Sequence, residues 1–141
     1  MGGRTLAVDV REAREVMKLE TIAEVPGAPA PLLGVANLRG RVLPVADARP
    51  TLAVSPLAAA PSVAIVLAAS GLEAAVPIDA VLGLEWFDAP LPPDGIAEGP
   101  LKTFAAGLVP RPDDPAILLD VARLLDALRA PWAPATPEAL P

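Results

Sequence analysis

The chain contains no cysteine and no histidine. Their absence excludes disulfides, thiolate and imidazole metal sites, and catalysis built on a cysteine nucleophile or a histidine base. It also fits a cytoplasmic protein. Cations are in the minority: 11 Lys and Arg against 17 Asp and Glu give a net charge of −6 and a pI near 4.5. That balance opposes non-specific binding to nucleic acid, because phosphates reward clustered cations. Aromatics make up only 3% of the residues, and none stands beside Arg39, Arg41 or Arg49. A base-stacking surface is therefore not expected. Long charge-free apolar runs are also lacking. "SPLAAAPSVAIVLAASG" comes closest, and its two prolines and its shortness favour a buried strand over a bilayer span. The opening "MGGRTLAVDVREAR" has no apolar stretch behind a basic head, which reads against a signal peptide.

What is abundant points to a small β-rich domain. The 141 residues are 53% hydrophobic, enough for one core. Nineteen prolines and ten glycines favour short strands and turns over long helices. The pattern predicts a strand over Arg4–Val10, while "REAREVMKLETIAEV" fits strand or helix. "LLGVANL" and "RVLPVADA" read as two strands about a turn at Arg39-Gly40, followed by a proline-marked loop, "RPTLAVSPLAAAP". Ser62–Ala69 is the clearest buried strand; "SGLE" turns it into strand material running through "AAVPIDAVLGLEWF". A polar connector, Asp88–Pro100, leads to a second hairpin turned at "PRPDDP". One helix is expected in "DVARLLDALRA", where Val121, Leu124, Leu125 and Leu128 form an apolar face and Asp120 is the cap. The expected domain spans 1–130, in two subdomains of roughly 1–55 and 56–130, with a proline-rich tail over 131–141 that frays.

The chain repeats itself. "GRTLAVDV" from Gly3 resembles "GLEAAVPI" from Gly71. Gly34 precedes Asp47 by thirteen residues, and Gly107 precedes Asp120 by the same thirteen. Strand, turn and strand lie between each pair. Two units of roughly 70 residues thus carry one order of elements, which suggests duplication into two small β-barrels that pack together or exchange strands.

Candidate chemistry is sparse. Asp113-Asp114 is the one adjacent acidic pair, and in "PRPDDP" both are ordinary turn residues. A hydrolase using Asp113, Asp114 or Asp47 ranks low, since no nucleophile–base constellation is visible. Asp47 and Asp120 read as structural caps, and Gly34 and Gly107 as matching architecture. Gly40 supplies a positive φ or a close backbone approach. Arg39 beside it can be solvated, can fold back on the turn carbonyls, or can project as an interface anchor.

The stretch "LLGVANLRGRVLPVADAR" resembles the signature of CheW-like domains, the adaptors of bacterial chemotaxis. Gly34, Asn37, Leu38, Arg39, Gly40, Pro44, Val45, Asp47 and Arg49 match it, and the likeness extends over roughly Arg4 to Leu128. The resemblance implies an all-β fold of two intertwined five-stranded SH3/OB-like barrels with a short C-terminal helix. It implies a non-catalytic cytoplasmic scaffold, without cofactors, that links chemoreceptor tips to the regulatory domain of the histidine kinase CheA. It places Arg39 in the receptor-binding region, Ala13 and Glu15 along the receptor groove, and Asn37 as organiser of the turn. The sequence departs from the family at Ala48, where leucine is usual, and at Pro50. The family also begins with a strand ahead of the one at Arg4, so this strand is expected to be missing and a sheet edge exposed. That departure opens an alternative: a diverged adaptor serving another kinase or motility pathway.

Overall fold

The computed structural model describes residues 1–56 and 60–132. Eight strands form two sheets: β1 (Leu6–Ala7), β2 (Ala13–Lys18), β3 (Leu32–Leu38), β4 (Arg41–Ala46), β5 (Val63–Ala69), β6 (Leu72–Pro77), β7 (Ala105–Val109) and β8 (Ala116–Leu119). One sheet has the order β2-β5-β6-β4-β3 and the other β1-β8-β7. The halves of the sequence are interleaved: β2 pairs with β5, β4 pairs parallel with β6, and β1 pairs parallel with β8.

The sheets are not closed barrels, contrary to expectation. In the larger sheet, β3 meets the chain beyond β2 only through a single bridge between Ala23 and Val35. The smaller sheet has three strands, and the far edge of β1 carries no strand among the described residues. The strand expected over Arg4–Val10 is two residues long, and the one expected through "AVLGLEWF" stops at Pro77. The loop after β4 contains a short helix, α1 (Arg49–Leu52), which Pro50 favours at its first turn. A second short helix, α2 (Pro100–Thr103), follows the polar connector. The tail over 133–141 lies outside the described residues.

The repeat is visible as geometry. In the β3–β4 hairpin Gly34 pairs with Val45 beside a bulge; in the β7–β8 hairpin Gly107 pairs with Leu118 beside a bulge. Each glycine sits where another backbone crosses the hairpin. A Cβ on Gly34 would collide with the Ala23 carbonyl oxygen, and one on Gly107 would lie 2.8 Å from the Leu91 oxygen. Ala23 and Leu91 are the residues that bridge to Val35 and Leu108. Each bridge therefore requires its glycine, a demand of close approach.

The expected helix is α3 (Val121–Arg129), and Asp120 Oδ1 accepts the Arg123 N–H at 3.1 Å as its cap. Its buried face of Val121, Leu124, Leu125 and Leu128 packs on β5 and β6 and joins Leu52, Leu67, Val76 and Ile117 in the main core. A second core fills the larger sheet with Met17, Leu43, Val45, Ala64 and Val66. Burying each large aliphatic side chain contributes about 1.5–3 kcal/mol.

One charge is built into this interior. The Arg49 side chain is 1% exposed. Its Nη2 donates to Asp79 Oδ1 at 3.0 Å, and its Nη1 lies 3.4 Å from the Ser55 carbonyl oxygen. Asp79 also accepts the Gly2 N–H at 2.9 Å. The hydrogen bond from Arg49, then that from Gly2, holds the Asp79 carboxyl below the usual carboxylate range.

Two outcomes follow from this packing. Gly34→Ala is expected to cost about 1–3 kcal/mol, because backbone must move to admit the methyl; the midpoint of urea unfolding measures it. Asp79→Asn leaves a buried guanidinium without its counter-charge and is expected to cost about 1–3 kcal/mol at neutral pH. Because the folded pKa of Asp79 is depressed, its stabilisation is complete above the unfolded value of about 3.9 and is lost as pH falls through the folded pKa. Unfolding midpoints measured from pH 7 to pH 2 should therefore fall more steeply below about pH 4 in the parent than in Asp79→Asn.

Candidate partner-binding site

The β3–β4 hairpin ends in a two-residue turn, Arg39-Gly40, with φ of 52° and 83°. Both central residues are left-handed, the type I′ geometry that matches the twist of the flanking strands. A Cβ on Gly40 would meet nothing within 4 Å, so glycine serves conformation there and not space. Asn37 Oδ1 accepts the Gly40 N–H at 2.8 Å and braces the turn from its first strand. Arg39 holds a left-handed backbone that arginine adopts at a cost, and its side chain is 79% exposed.

Arg39 reaches sideways to β2, where its Nη2 lies 2.8 Å from Glu15 Oε2. A register shift between Ala13 and Glu15 marks this part of β2. The structure thus brings Arg39, Asn37 and Glu15 to one end of the larger sheet. Ala13 is directed elsewhere: it packs against the core cluster around α3. Gly34, Asp47, Gly107 and Asp120 are distributed through the frame. Asp47 Oδ1 accepts the Arg49 N–H at 3.0 Å.

Several residues of this surface were not singled out in the sequence. Arg41 Nη1 lies 2.6 Å from Glu73 Oε1 on β6, which raises the guanidinium further above its ordinary pKa through that hydrogen bond. Val42 on β4 and Val16 on β2 are exposed. The result is a surface with two ion pairs, Arg39 with Glu15 and Arg41 with Glu73. Val42 had a local signal, since it falls out of phase with buried Leu43 and Val45. The ion pairs had none, because their partners are far apart in sequence. Arg49 was visible only as a match to the family motif.

Asp113 and Asp114 are exposed in the bend between β7 and β8. No group of three or more metal-ligating side chains occurs among the described residues. A surface depression lies beside α3, where Arg129 pairs with Asp126 at 3.0 Å and Arg123 approaches Asp120 at 3.9 Å.

The fold has a close counterpart among solved structures. The scaffolding protein TtCheW from Thermoanaerobacter tengcongensis superposes with a TM-score of 0.75 at 23% identity, covering 88% of this chain and 86% of that one. No curated protein matches the chain significantly. The profile of the CheW-like domain family matches residues 1–129. The chain, nearly all of it spanned by that match, belongs to the CheW-like domain family.

Proposed function

We propose that this protein is a non-catalytic chemotaxis adaptor that couples chemoreceptor tips to the regulatory domain of the histidine kinase CheA in the cytoplasm. Family membership supports a scaffold role. No helix among the described residues is long and apolar enough to cross a membrane. The observation that carries the reading is the Arg39 turn. An arginine held in a left-handed turn, braced by Asn37 and paired with Glu15, projects from a rigid hairpin. A preorganised, exposed guanidinium has the makings of an interface anchor. In this reading Arg39 and Glu15 contact the receptor, Asn37 holds the turn, and Ala13 acts through the packing behind β2. Gly34, Gly40, Asp47, Gly107 and Asp120 keep the frame.

A second reading is a diverged CheW-like adaptor that serves a non-chemotaxis kinase or a motility pathway. Co-sedimentation with receptor tip and kinase regulatory domain separates the two. Binding of both supports the first reading, and binding of neither by folded protein removes it.

Arg39→Ala is expected to weaken receptor binding by about 5- to 30-fold, the loss of one anchor worth about 1–2 kcal/mol. Its unfolding midpoint should stay near that of the parent, because the side chain is solvated. Isothermal titration against a receptor-tip fragment measures the affinity. Unchanged affinity would mean that the turn is not the docking site.

A further inference from the structure

Two guanidinium groups stand together at one end of the larger sheet. Arg39 lies in the β3–β4 turn, and Arg41 opens β4, where it pairs with Leu38. Behind them lie two carboxylates from other strands, Glu15 on β2 and Glu73 on β6. The four charges form one cluster, because the field of Glu15 reaches Arg41 as well as Arg39. The cluster is layered. Arg39 and Arg41 are 79% and 61% exposed, whereas Glu15 and Glu73 are 25% and 23% exposed. The cations therefore form the outer layer and the anions the inner one.

Other ion pairs of the chain are arranged differently. In Arg49–Asp79, Lys102–Glu98, Arg111–Glu85 and Arg129–Asp126 the carboxylate is the more exposed partner. Arg11 and Arg123 do stand outside their carboxylates, but their donors are engaged. Arg11 bonds Asp9 through both Nε and Nη2, and Arg123 Nη1 donates to the Thr103 carbonyl. Arg39 and Arg41 each hold their glutamate through one terminal nitrogen. A guanidinium fork carries further N–H donors, so each keeps an edge for a second, bidentate carboxylate. On a chain with a net charge of −6, a cationic outer layer draws in an acidic segment that the rest of the surface repels.

We propose that Arg39 and Arg41 together form a carboxylate-binding tip, which takes a partner protein segment bearing two neighbouring Asp or Glu side chains. Each guanidinium receives one partner carboxylate on its outer edge. Glu15 and Glu73 stay in place behind the forks and hold them outward. The backbone fixes the spacing of the two anchors. Left-handed Arg39 is braced by the Asn37–Gly40 hydrogen bond, and Arg41 sits in the ladder opposite Leu38. Nucleic acid, the other polyanion, is disfavoured by the net negative charge and by the lack of an aromatic beside either arginine. The inference deepens the partner-binding reading and rests on it for the choice of surface. It adds a second anchor, Arg41, and the acidic chemistry of the partner.

The probe is a capped, alanine-based peptide with two glutamates one helical turn apart, added to the full chain at low salt. Arginine side-chain Nε–H resonances are followed by NMR. We expect saturable shifts at Arg39 and Arg41, with an affinity that falls as salt is raised. Arg41→Gln should weaken binding about three- to tenfold. Arg11→Gln changes the net charge equally but removes a fork already engaged by Asp9, so it should leave the affinity unchanged. Any of four outcomes would overturn the proposal: no shift at either arginine, equal binding of the glutamine counterpart of the peptide, equal loss in Arg11→Gln and Arg41→Gln, or tighter binding of inorganic phosphate than of the peptide. The receptor-tip titration tests the adaptor reading separately. Receptor binding without peptide binding removes the carboxylate tip and leaves the adaptor; peptide binding without receptor binding does the reverse.

Discussion

The Arg49–Asp79 contact is the constraint on which the arrangement of both sheets turns. One buried guanidinium at α1 meets one carboxylate just beyond β6, and that carboxylate also binds the backbone of Gly2. Three stretches distant in sequence are thus tied at a single point: the exit from β4, the exit from β6 and the approach to β1. Burying a charge costs several kcal/mol unless it is paired. Arg49 meets that cost with one strong carboxylate contact and a long one to the Ser55 carbonyl, while its Nε finds no partner among the described residues. Such a group stabilises poorly in alternative packings, because misplacing it would strand the charge. Its value lies in selecting one arrangement of the halves.

With the frame held from inside, the two copies of the hairpin differ in their turns. The second copy of the hairpin shows this. It keeps the glycine, the bulge and the capping aspartate but turns through "PRPDDP", with no left-handed arginine. The frame tolerates either turn. The β3–β4 turn thus carries a left-handed arginine that the second copy does without.

Much of the frame was legible in the sequence because it obeys local rules. The spacing of Gly34 to Asp47 and of Gly107 to Asp120 announced two equivalent hairpins, and the periodic leucines with Asp120 announced α3. The turn at Arg39-Gly40 was readable from its residues. The legibility failed where structure depends on distant partners. Nothing near Leu84 or Trp86 shows that a strand-like sequence lacks a neighbour, and so it forms no ladder. The short extent of β1 has the same origin. Barrel closure was expected from the repeat and the family likeness, yet closure requires a complete ring of strands, which single bridges do not supply. Likewise, Arg39 was readable as a candidate, but its pairing with Glu15 and the companion pair of Arg41 with Glu73 exist only once the sheet curls.

The interleaving of strands has a consequence for how the chain is made. Leu6 pairs with Ile117, so β1 stays unpaired until β8 has left the ribosome. β2 likewise waits for β5. Neither half can complete its sheets alone, and β1 and β2 must be kept from wrong partners until β8 and β5 appear. The architecture that locks the finished halves together makes the nascent chain dependent on delay.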